Sequence, residues 1–527
     1  MADTAKGRWS AAGAGVAAAV LGAGLGELTA AIIAPGASPF AAIGSALIDL
    51  APAWAKETAI ALFGTNDKLA LLIGIGIVLV AAAAAAGLVE LKRPPFGLAI
   101  MIAFGGVGVL AAVTRANAGP FDWVPSLVAG IMAAVALSLL IARVPGRPRL
   151  SAATSSGPYG APVALPPREP ALERRTFILW TVGTAAVGLV ATVGSSLARA
   201  GSRAVTIVRD ALTLPTPAVT APPIPATAEL GISGLAPVVT PNAQFYRIDT
   251  ALIVPQIAPA DWSLRIHGLV QNEVTITWDE LLALPLEESF TTLACVSNNV
   301  GGDLIGNALW LGYPIRELLA RAAPTADADM VLSKSIDGFT ASSPIEALTD
   351  ARNAILAVGM NGEPLPAEHG FPVRMVVPGL YGYVSATKWV TELEVTRFDK
   401  ATGYWTTRGW SERGPIKLQS RIDVPKKQQG VKAGESVIAG VAWQQHVGVS
   451  GVEVQIDEGA WQPATLATAI SGDTWVQWSM PWTATVGDHL IRCRATSATG
   501  ELQTEELSRT DPDGATGWHE RFITVFS

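Results

Sequence analysis

The sequence predicts a multidomain chain: an all-α transmembrane bundle, then a mixed α/β domain, then an all-β immunoglobulin-like sandwich. Three observations predict it. Five apolar runs within the first 200 positions each approach the ~20 residues that cross ~30 Å of hydrocarbon. Between about 240 and 400, short alternating segments mix with helical ones. From about 415 onward only strand patterns recur, separated by turn residues. The layout is therefore 1–200 for the bundle, 201–240 for a linker, 241–405 for the mixed domain and 415–527 for the sandwich.

The five spans are read at 11–34, 69–89, 96–114, 124–142 and 177–197. A sixth apolar stretch, 38–63, is interrupted by Asp49, Pro52, Lys56 and Glu57 and is read as a re-entrant or interfacial helix. Five spans put Lys6 and Arg8, Lys92 and Arg93, and the cluster Arg143, Arg147, Arg149, Arg168, Arg174 and Arg175 on one side. By the positive-inside rule that side is the cytoplasm. Residues 200–527 then lie outside it, on a multi-pass protein of the cell membrane. Arg174-Arg175 ahead of a moderately apolar stretch has the form of a twin-arginine export signal, and equally of a pair that anchors a helix at the membrane surface.

All five histidines lie in the second half, so no bis-histidine haem can be built between the spans, and no haem is expected. Glu27 is the one carboxylate well inside a span. It is either a functional group, for instance in proton movement, or a residue bonded to a neighbouring helix. Gly22, Gly24 and Gly26 imitate a dinucleotide fingerprint, but no strand precedes them, and close helix packing accounts for them better.

A net charge of −7 without a basic run excludes a nucleic-acid partner, because neutralising phosphates takes clustered Lys and Arg. Two cysteines, Cys295 and Cys493, exclude a disulfide framework and any four-thiolate metal site, leaving one disulfide formally open. The prolines of 213–226 predict an extended spacer. In the mixed domain, 262–267 alternates as a half-buried strand with His267 on its polar face, 279–284 and 313–322 read as helices, and 330–332 and 373–377 read as strands. Later strands are expected at 437–442, 451–457, 475–480, 489–495 and 520–525. Cys493 falls in phase with Ile491 and Ala495 and belongs to the core.

The segment Thr291-Thr292-Leu293-Ala294-Cys295-Val296-Ser297-Asn298-Asn299 places a lone cysteine where an apolar strand enters a polar, Gly-rich loop. A thiolate there can ligate a soft metal or act as a nucleophile, and a buried structural thiol is the alternative. A second block adds cations among glycine and proline turns: Asn361-Gly362-Glu363-Pro364, His369-Gly370-Phe371-Pro372-Val373-Arg374, Val377-Pro378-Gly379 and Lys388-Trp389. His369, Arg374 and Lys388 could converge on an anion such as a cofactor's phosphate tail.

In these residues the chain resembles the sulfite oxidase family of molybdopterin enzymes, in its membrane-anchored bacterial branch. The matching pieces are Phe245-Tyr246-Arg247, Thr292-Leu293-Ala294-Cys295, Trp310-Leu311-Gly312, the Asn361-to-Lys388 block and Trp518-His519. The resemblance implies a sulfite-oxidase-like molybdopterin domain, followed by an immunoglobulin-like domain of the kind that often makes a homodimer. It implies a molybdenum-molybdopterin cofactor ligated by Cys295, with Tyr246, Arg247, Ser342, His369, Arg374, Thr387 and Lys388 near the pterin and its phosphate. The implied activity is two-electron oxygen-atom transfer to or from a small molecule. With no haem in the chain, electrons pass to or from a separate partner, a quinone-linked membrane protein being one candidate. Members that oxidise sulfite carry an arginine where this chain has Val300, a tyrosine where Trp410 stands, and a histidine where Asp249 stands, so sulfite is disfavoured. The competing expectation is a non-catalytic membrane-anchored module that retains the fold for binding.

Overall fold

A computed structural model describes residues 2–34, 37–51, 58, 67–115, 118–145, 170–198, 201–251, 254–426 and 430–527. The Pro-, Gly- and Ser-rich loop expected over 145–170 lies almost wholly outside the described residues, as does most of the latter half of the sixth apolar stretch. Two compact units emerge, one of residues 1–51 and 58–204, the other of 52–57 and 205–527.

The first unit is helical: α1 (Ala2–Ile33), α2 (Pro39–Leu50), α3 (Asp67–Lys92), α4 (Phe96–Val113), α5 (Val124–Ile141) and α6 (Pro170–Ala198). Five segments are long and apolar enough to cross a membrane, namely Gly7–Ile33, Ala70–Lys92, Phe96–Val113, Val124–Ile141 and Arg174–Ser195. They suggest membrane association, and the 12-residue α2 is too short to join them. Small residues set the helix spacing: a Cβ on Gly24 would strike the backbone of Gly188, and one on Gly22 the backbone of Ala129. Glu27 is buried and bonds to a neighbouring helix. Its Oε1 accepts from Ser38 Oγ at 2.6 Å, and Ser38 in turn caps α2 by accepting from Ala41 N.

Helix α7 (Gly201–Ala211), which enters the second unit at Val205, leads into the extended proline segment. That segment, and the chain that follows it to Val238, is bonded to the folded unit. Ala218 N donates to Leu286 O, Glu288 N donates to Val219 O, and Val238 O accepts from Trp475 Nε1 at 2.9 Å.

The mixed domain contains β1 (Ser263–Gly268), β2 (Val274–Thr277), β3 (Glu287–Ala294), β4 (Ile305–Pro314), β5 (Met330–Ser335), β6 (Thr340–Pro344), β7 (Ile355–Met360), β8 (Glu363–Pro364), β9 (Arg374–Val376) and β10 (Val390–Thr396). Its helices are α8 (Trp278–Leu282), α9 (Ile315–Ala322), α10 (Glu346–Thr349) and α11 (Gly382–Ser385). One sheet runs β2-β1-β10-β5-β6, the other β3-β4-β7-β8 with β9 beside β7. Alternation places Leu264 and Ile266 in the core, opposite which β10 presents Leu393 and Val395. His267, expected to be solvated, is half-buried and bonds Glu392 Oε1 through Nε2 at 2.7 Å. A reciprocal capping box between Thr277 and Glu280 starts α8. Helix α9 begins later than its periodicity suggested, because Tyr313 and Pro314 still pair with Leu356 and Ile355 of β7.

The remaining strands are β11 (Gln419–Val424), β12 (Val431–Lys432), β13 (Gly434–Trp443), β14 (Val449–Ile456), β15 (Gln462–Pro463), β16 (Thr465–Leu466), β17 (Val476–Ala484), β18 (Gly487–Ser497) and β19 (His519–Phe526). They form two sheets, β11-β13-β17-β16 and β12-β19-β18-β14-β15. Ile422, Ile438 and Trp478 from the first meet Val454, Ile491 and Cys493 from the second in one core. Both cysteines are free and buried.

Trp478 is fully buried, yet its indole N–H has no hydrogen-bond partner among the described residues. Trp478→Ala is therefore expected to cost about 3–5 kcal/mol by cavity formation. Trp478→Phe keeps most of the contact and removes an unsatisfied donor, so its cost should stay near 1–1.5 kcal/mol. Denaturant unfolding of the two variants checks this, and equal losses would contradict it.

Candidate active site

Strand β3 delivers Cys295 to a loop that folds back on itself. Cys295 N donates to Leu304 O at 2.9 Å, Asn298 N donates to Cys295 O, and Asn298 Oδ1 accepts from Leu304 N. The C-terminal sheets hold the same loop from outside. Arg421 Nη1 donates to Gly302 O at 2.8 Å, and a Cβ on Gly301, which sits at φ +73, would collide with the His519 ring. Thr292, three residues before the cysteine, is enclosed by both parts: its Oγ1 donates to Asn307 Oδ1 and accepts from Trp475 N, and its carbonyl accepts from Gln445 Nε2. Burial raises the pKa of the Cys295 thiol, and hydrogen bonds from the Ser297 backbone and side chain oppose that shift.

The cations of the second block do come together. Arg374 and Lys388 face each other as a backbone bridge, and Gly370, at φ +114, permits the approach. A Cβ there would lie 2.9 Å from Arg374 Cβ and 3.2 Å from Lys388 Cβ. The Arg374 guanidinium is buried. It donates to His369 O at 3.1 Å and, at longer range, to the carbonyls of Met375 and Ala386, and it lies 5.0 Å from the centre of the Trp310 ring. Among the described residues no carboxylate pairs with it, and burial brings its pKa down to about 10.

Lys388 differs, because its Nζ donates to Asp249 Oδ2 at 2.6 Å and to Glu368 O at 3.0 Å. Arg247 Nε reaches the same Asp249 oxygen at 3.0 Å. His369 is buried against Phe245, with ring centroids 5.6 Å apart, and its Nε2 is 3.3 Å from Asn242 O. Burial, then Arg374 and Lys388, hold its pKa down at about 3, so the ring is neutral.

Tyr246 stacks on Phe245, and its hydroxyl lies within electrostatic reach of Cys295 and Arg374. Burial, reinforced by Cys295, pushes its pKa up. Ser342 on β6 presents a buried hydroxyl with no hydrogen-bond partner among the described residues, closely backed by Gly403. Thr387 is also buried, and its Oγ1 bonds Ser333 Oγ at 2.7 Å. The eight residues singled out from the sequence thus form three cations with a neutral imidazole among them (Arg247, Arg374, Lys388 and His369), a thiol with its tyrosine (Cys295, Tyr246), and two hydroxyls in different states. Asp249 was seen in the sequence only as a lost histidine. Its acid at two-residue spacing from Arg247 was the available signal that it belongs to the cluster.

A buried guanidinium without a carboxylate, an orphaned hydroxyl and a free buried thiol fit an anionic cofactor that also needs a soft metal ligand. Residues 251–405 match the family model described as the oxidoreductase molybdopterin binding domain. An uncharacterized oxidoreductase, YuiH, of Bacillus subtilis (strain 168) is 32% identical over 153 residues, which are 29% of this chain and 74% of that protein. The chain belongs to the sulfite oxidase-like family of molybdopterin oxidoreductases. Mitochondrial sulfite oxidase of Mus musculus is 29% identical over 271 residues, covering 43% of this chain. The chain spans about half the length of that relative, 49%. The solved sulfane dehydrogenase SoxCD from Paracoccus pantotrophus is 23% identical, with a TM-score of 0.49, covering 55% of this chain and 81% of that one. The family consists of molybdenum oxidoreductases, and its binding domain implies a molybdenum cofactor here.

His519, buried beside Arg521 and Arg421, is also held at about 3. Folded, these two imidazoles stay neutral down to about 3, while unfolded histidine takes up a proton below about 6.5. Between those values the unfolded chain binds more protons, so their contribution to stability is complete above 6.5 and is lost as the pH falls. The exposed His489–Asp457 pair acts in the opposite sense and weakly. Unfolding followed from pH 7.5 to 5.5 should lose roughly 1–1.5 kcal/mol per buried histidine. His369→Gln should remove about half of that dependence, and an unchanged slope would count against a neutral, buried His369.

Proposed function

We propose that the chain is a membrane-anchored molybdopterin oxidoreductase that transfers oxygen atoms in two-electron steps to or from a small molecule, on the extracytoplasmic side. The observation that carries this reading is the Arg374 guanidinium, buried against carbonyls and an aromatic ring with no carboxylate beside it among the described residues, while a free thiol stands at the end of β3. Such a cation is stable in a dry interior when an anion is seated against it.

Cys295 supplies the thiolate to molybdenum. Arg374 grips the phosphate, with Lys388 and Arg247 adding charge, and Tyr246, Ser342 and Thr387 border the pterin. His369, being uncharged, acts as a hydrogen-bonding group and not as a counterion. When bound, the molybdenum group supplies the oxygen-atom transfer chemistry, and the protein supplies orientation and electrostatics. Burial holds the Cys295 proton on sulfur, so the thiol would give up that proton to solvent only as a metal takes its place and neutralises the thiolate charge.

The substrate on this reading is not sulfite. Val300 is half-buried and apolar, Trp410 is packed between Tyr383 and Trp405, and Asp249 adds a negative charge to the cluster. Each missing charge-assisted contact weakens a bound dianion by about 1.5–3 kcal/mol.

Residues 1–200 serve as the anchor and 201–240 connect it to the molybdopterin domain at 241–405. An immunoglobulin-like domain at 415–527 suits dimer formation. Basic residues at 92–93, 143 and 174–175 favour the cytoplasmic side for those loops, and the Arg174-Arg175 pair supports export of a domain loaded and folded beforehand. Electrons enter or leave through a separate membrane partner, a quinone-linked protein being the candidate.

Metal analysis of the purified chain tests the reading: close to one molybdenum per chain is expected, and a metal-free protein would point to a binding module. Cys295→Ser should keep the melting behaviour of the fold yet lose the molybdenum electronic spectrum and turnover, and an unaltered spectrum would refute the ligand assignment. A reporter fused after residue 200 should be active only outside the cytoplasm; cytoplasmic activity would reverse the topology.

A further inference from the structure

The helical unit contains a cavity of about 230 Å³ between α1, α2, α3, α4 and α5, bordered by Ala23, Phe40, Gly76, Gly105, Ser126 and Gly130 among others. Among the described residues no charged side chain borders it, and Ser126 is the one polar side chain that does. Ser126 is 1% exposed, and its hydroxyl has no hydrogen-bond partner among the described residues. That hydroxyl faces α4 at Gly108, where an added Cβ would come within 2.8 Å of it. Burying an unpaired hydroxyl among apolar helices is costly, so this wall calls for one hydrogen-bonding partner. Water does not supply it stably, because a buried water takes about two to four polar partners and the cavity offers one.

Size and access narrow the occupant. An apolar cavity of about 150 Å³ takes up benzene, so this one admits a substituted ring. Val80 of α3 and Phe104 of α4 border the cavity and are 51% and 38% exposed, which sets its mouth on the outer surface of the spans. A ligand entering there comes from hydrocarbon and is neutral, since charge at that depth is expensive. The walls suit a flat molecule. Gly105 and Gly130 bring α4 and α5 so close that a Cβ on Gly105 would lie 2.7 Å from Gly130 Cα, and Phe40 and Phe104 contribute rings on which another ring can stack.

We propose that the helical unit binds a lipid-soluble quinone, its ring in this cavity and one carbonyl oxygen accepting from the Ser126 hydroxyl. The inference rests on the reading above that these helices lie in a membrane and that electrons pass through a carrier there, and it gives that carrier a site on this chain. A quinone meets each requirement: it is neutral and flat, it dissolves in the bilayer, and it carries a carbonyl acceptor at the ring edge. The acyl chain of a phospholipid matches the apolar walls but brings no acceptor to Ser126.

The test uses the full-length chain in phosphatidylcholine nanodiscs, titrated with a decyl-substituted benzoquinone, with bound quinone, retained phospholipid and thermal melting as readouts. Saturable binding of close to one quinone per chain is expected. Gly76→Leu should weaken it roughly tenfold or more, because Gly76 borders the cavity and a Cβ there meets nothing within 4 Å, so a larger side chain occupies the free space without striking a helix. Ser126→Ala should weaken it about fivefold, the effect of one lost hydrogen bond. Both variants should melt within about 3 °C of the unsubstituted chain, since neither strikes backbone nor strands a polar group. Quinone that partitions into the bilayer without saturating, binding that either variant leaves unchanged, or a phospholipid that is lost in Gly76→Leu and is not displaced by quinone would overturn the proposal. A lack of molybdenum in the same preparations would count against the proposed function alone, because quinone binding is measured whatever the metal content.

Discussion

The Arg374 guanidinium imposes the constraint around which the mixed domain is organised. A planar cation with five N–H donors is costly to bury unless its donors are met, and here three carbonyls, of His369, Met375 and Ala386, accept from its three nitrogens. To supply carbonyls the backbone must turn back on the arginine from both sides. The turn at Gly370 and the bridge to Lys388 provide this, and the short β9 ties the arginine to the central β7 through the Ala357 register. Hydrogen bonds to carbonyls satisfy directionality but leave the charge uncompensated. That imbalance is what distinguishes this site from an ordinary buried ion pair and directs the functional reading toward an anionic cofactor.

The cysteine loop depends on a second arrangement, shared between two parts of the same unit. Strand β3 pairs with β4 over its whole length, while the backbone of Thr292 also engages Asp473 and Gln445 from the C-terminal sheets. Three residues further on, the loop after Cys295 is bounded by Arg421 and His519. The thiol is therefore fixed in position by elements more than a hundred residues downstream. Rigid support of this kind is what a metal ligand needs, since small displacements of a ligand atom change coordination. It also explains why the C-terminal sheets cannot be regarded as a detached appendage: their side chains complete the wall behind the cysteine.

How far these features could be read from the sequence depends on their range. The apolar spans follow from composition over about 20 residues, and the helices found at Ala70–Lys92 or Val124–Ile141 fall close to the expected limits. Alternation in β1 and in β18 was legible because each strand buries one face, which placed Ile266 and Cys493 correctly in the core. The clustering of His369, Arg374 and Lys388 was legible from short spacing and turn residues. What was not legible involves partners distant in sequence. His267 reads as a solvated residue on a polar face until Glu392 of β10, 125 positions away, is brought beside it. Nor does the spacing around Thr387 reveal that its hydroxyl will bond Ser333, 54 positions away. The proline-rich stretch reads as a spacer because nothing local reveals that Leu286 and Glu288 will bond to it.

Charge arrangement within the cluster then ties geometry to selectivity. Arg247, Arg374 and Lys388 are positive, Asp249 is negative, and His369 is neutral because it is buried among those cations. A protonated His369 would add a further charge in a region already short of anions, so the same burial that silences the histidine also limits the field at the site. A phosphate monoester matches the remaining net charge of two positive. A small dianion competing for the same cations would face the Asp249 carboxylate and the apolar Val300 without an additional arginine to offset them. The field is sufficient for one bound dianion and weak for a second, which is the physical reason to place cofactor recognition in the cationic cluster and to expect a substrate of low charge.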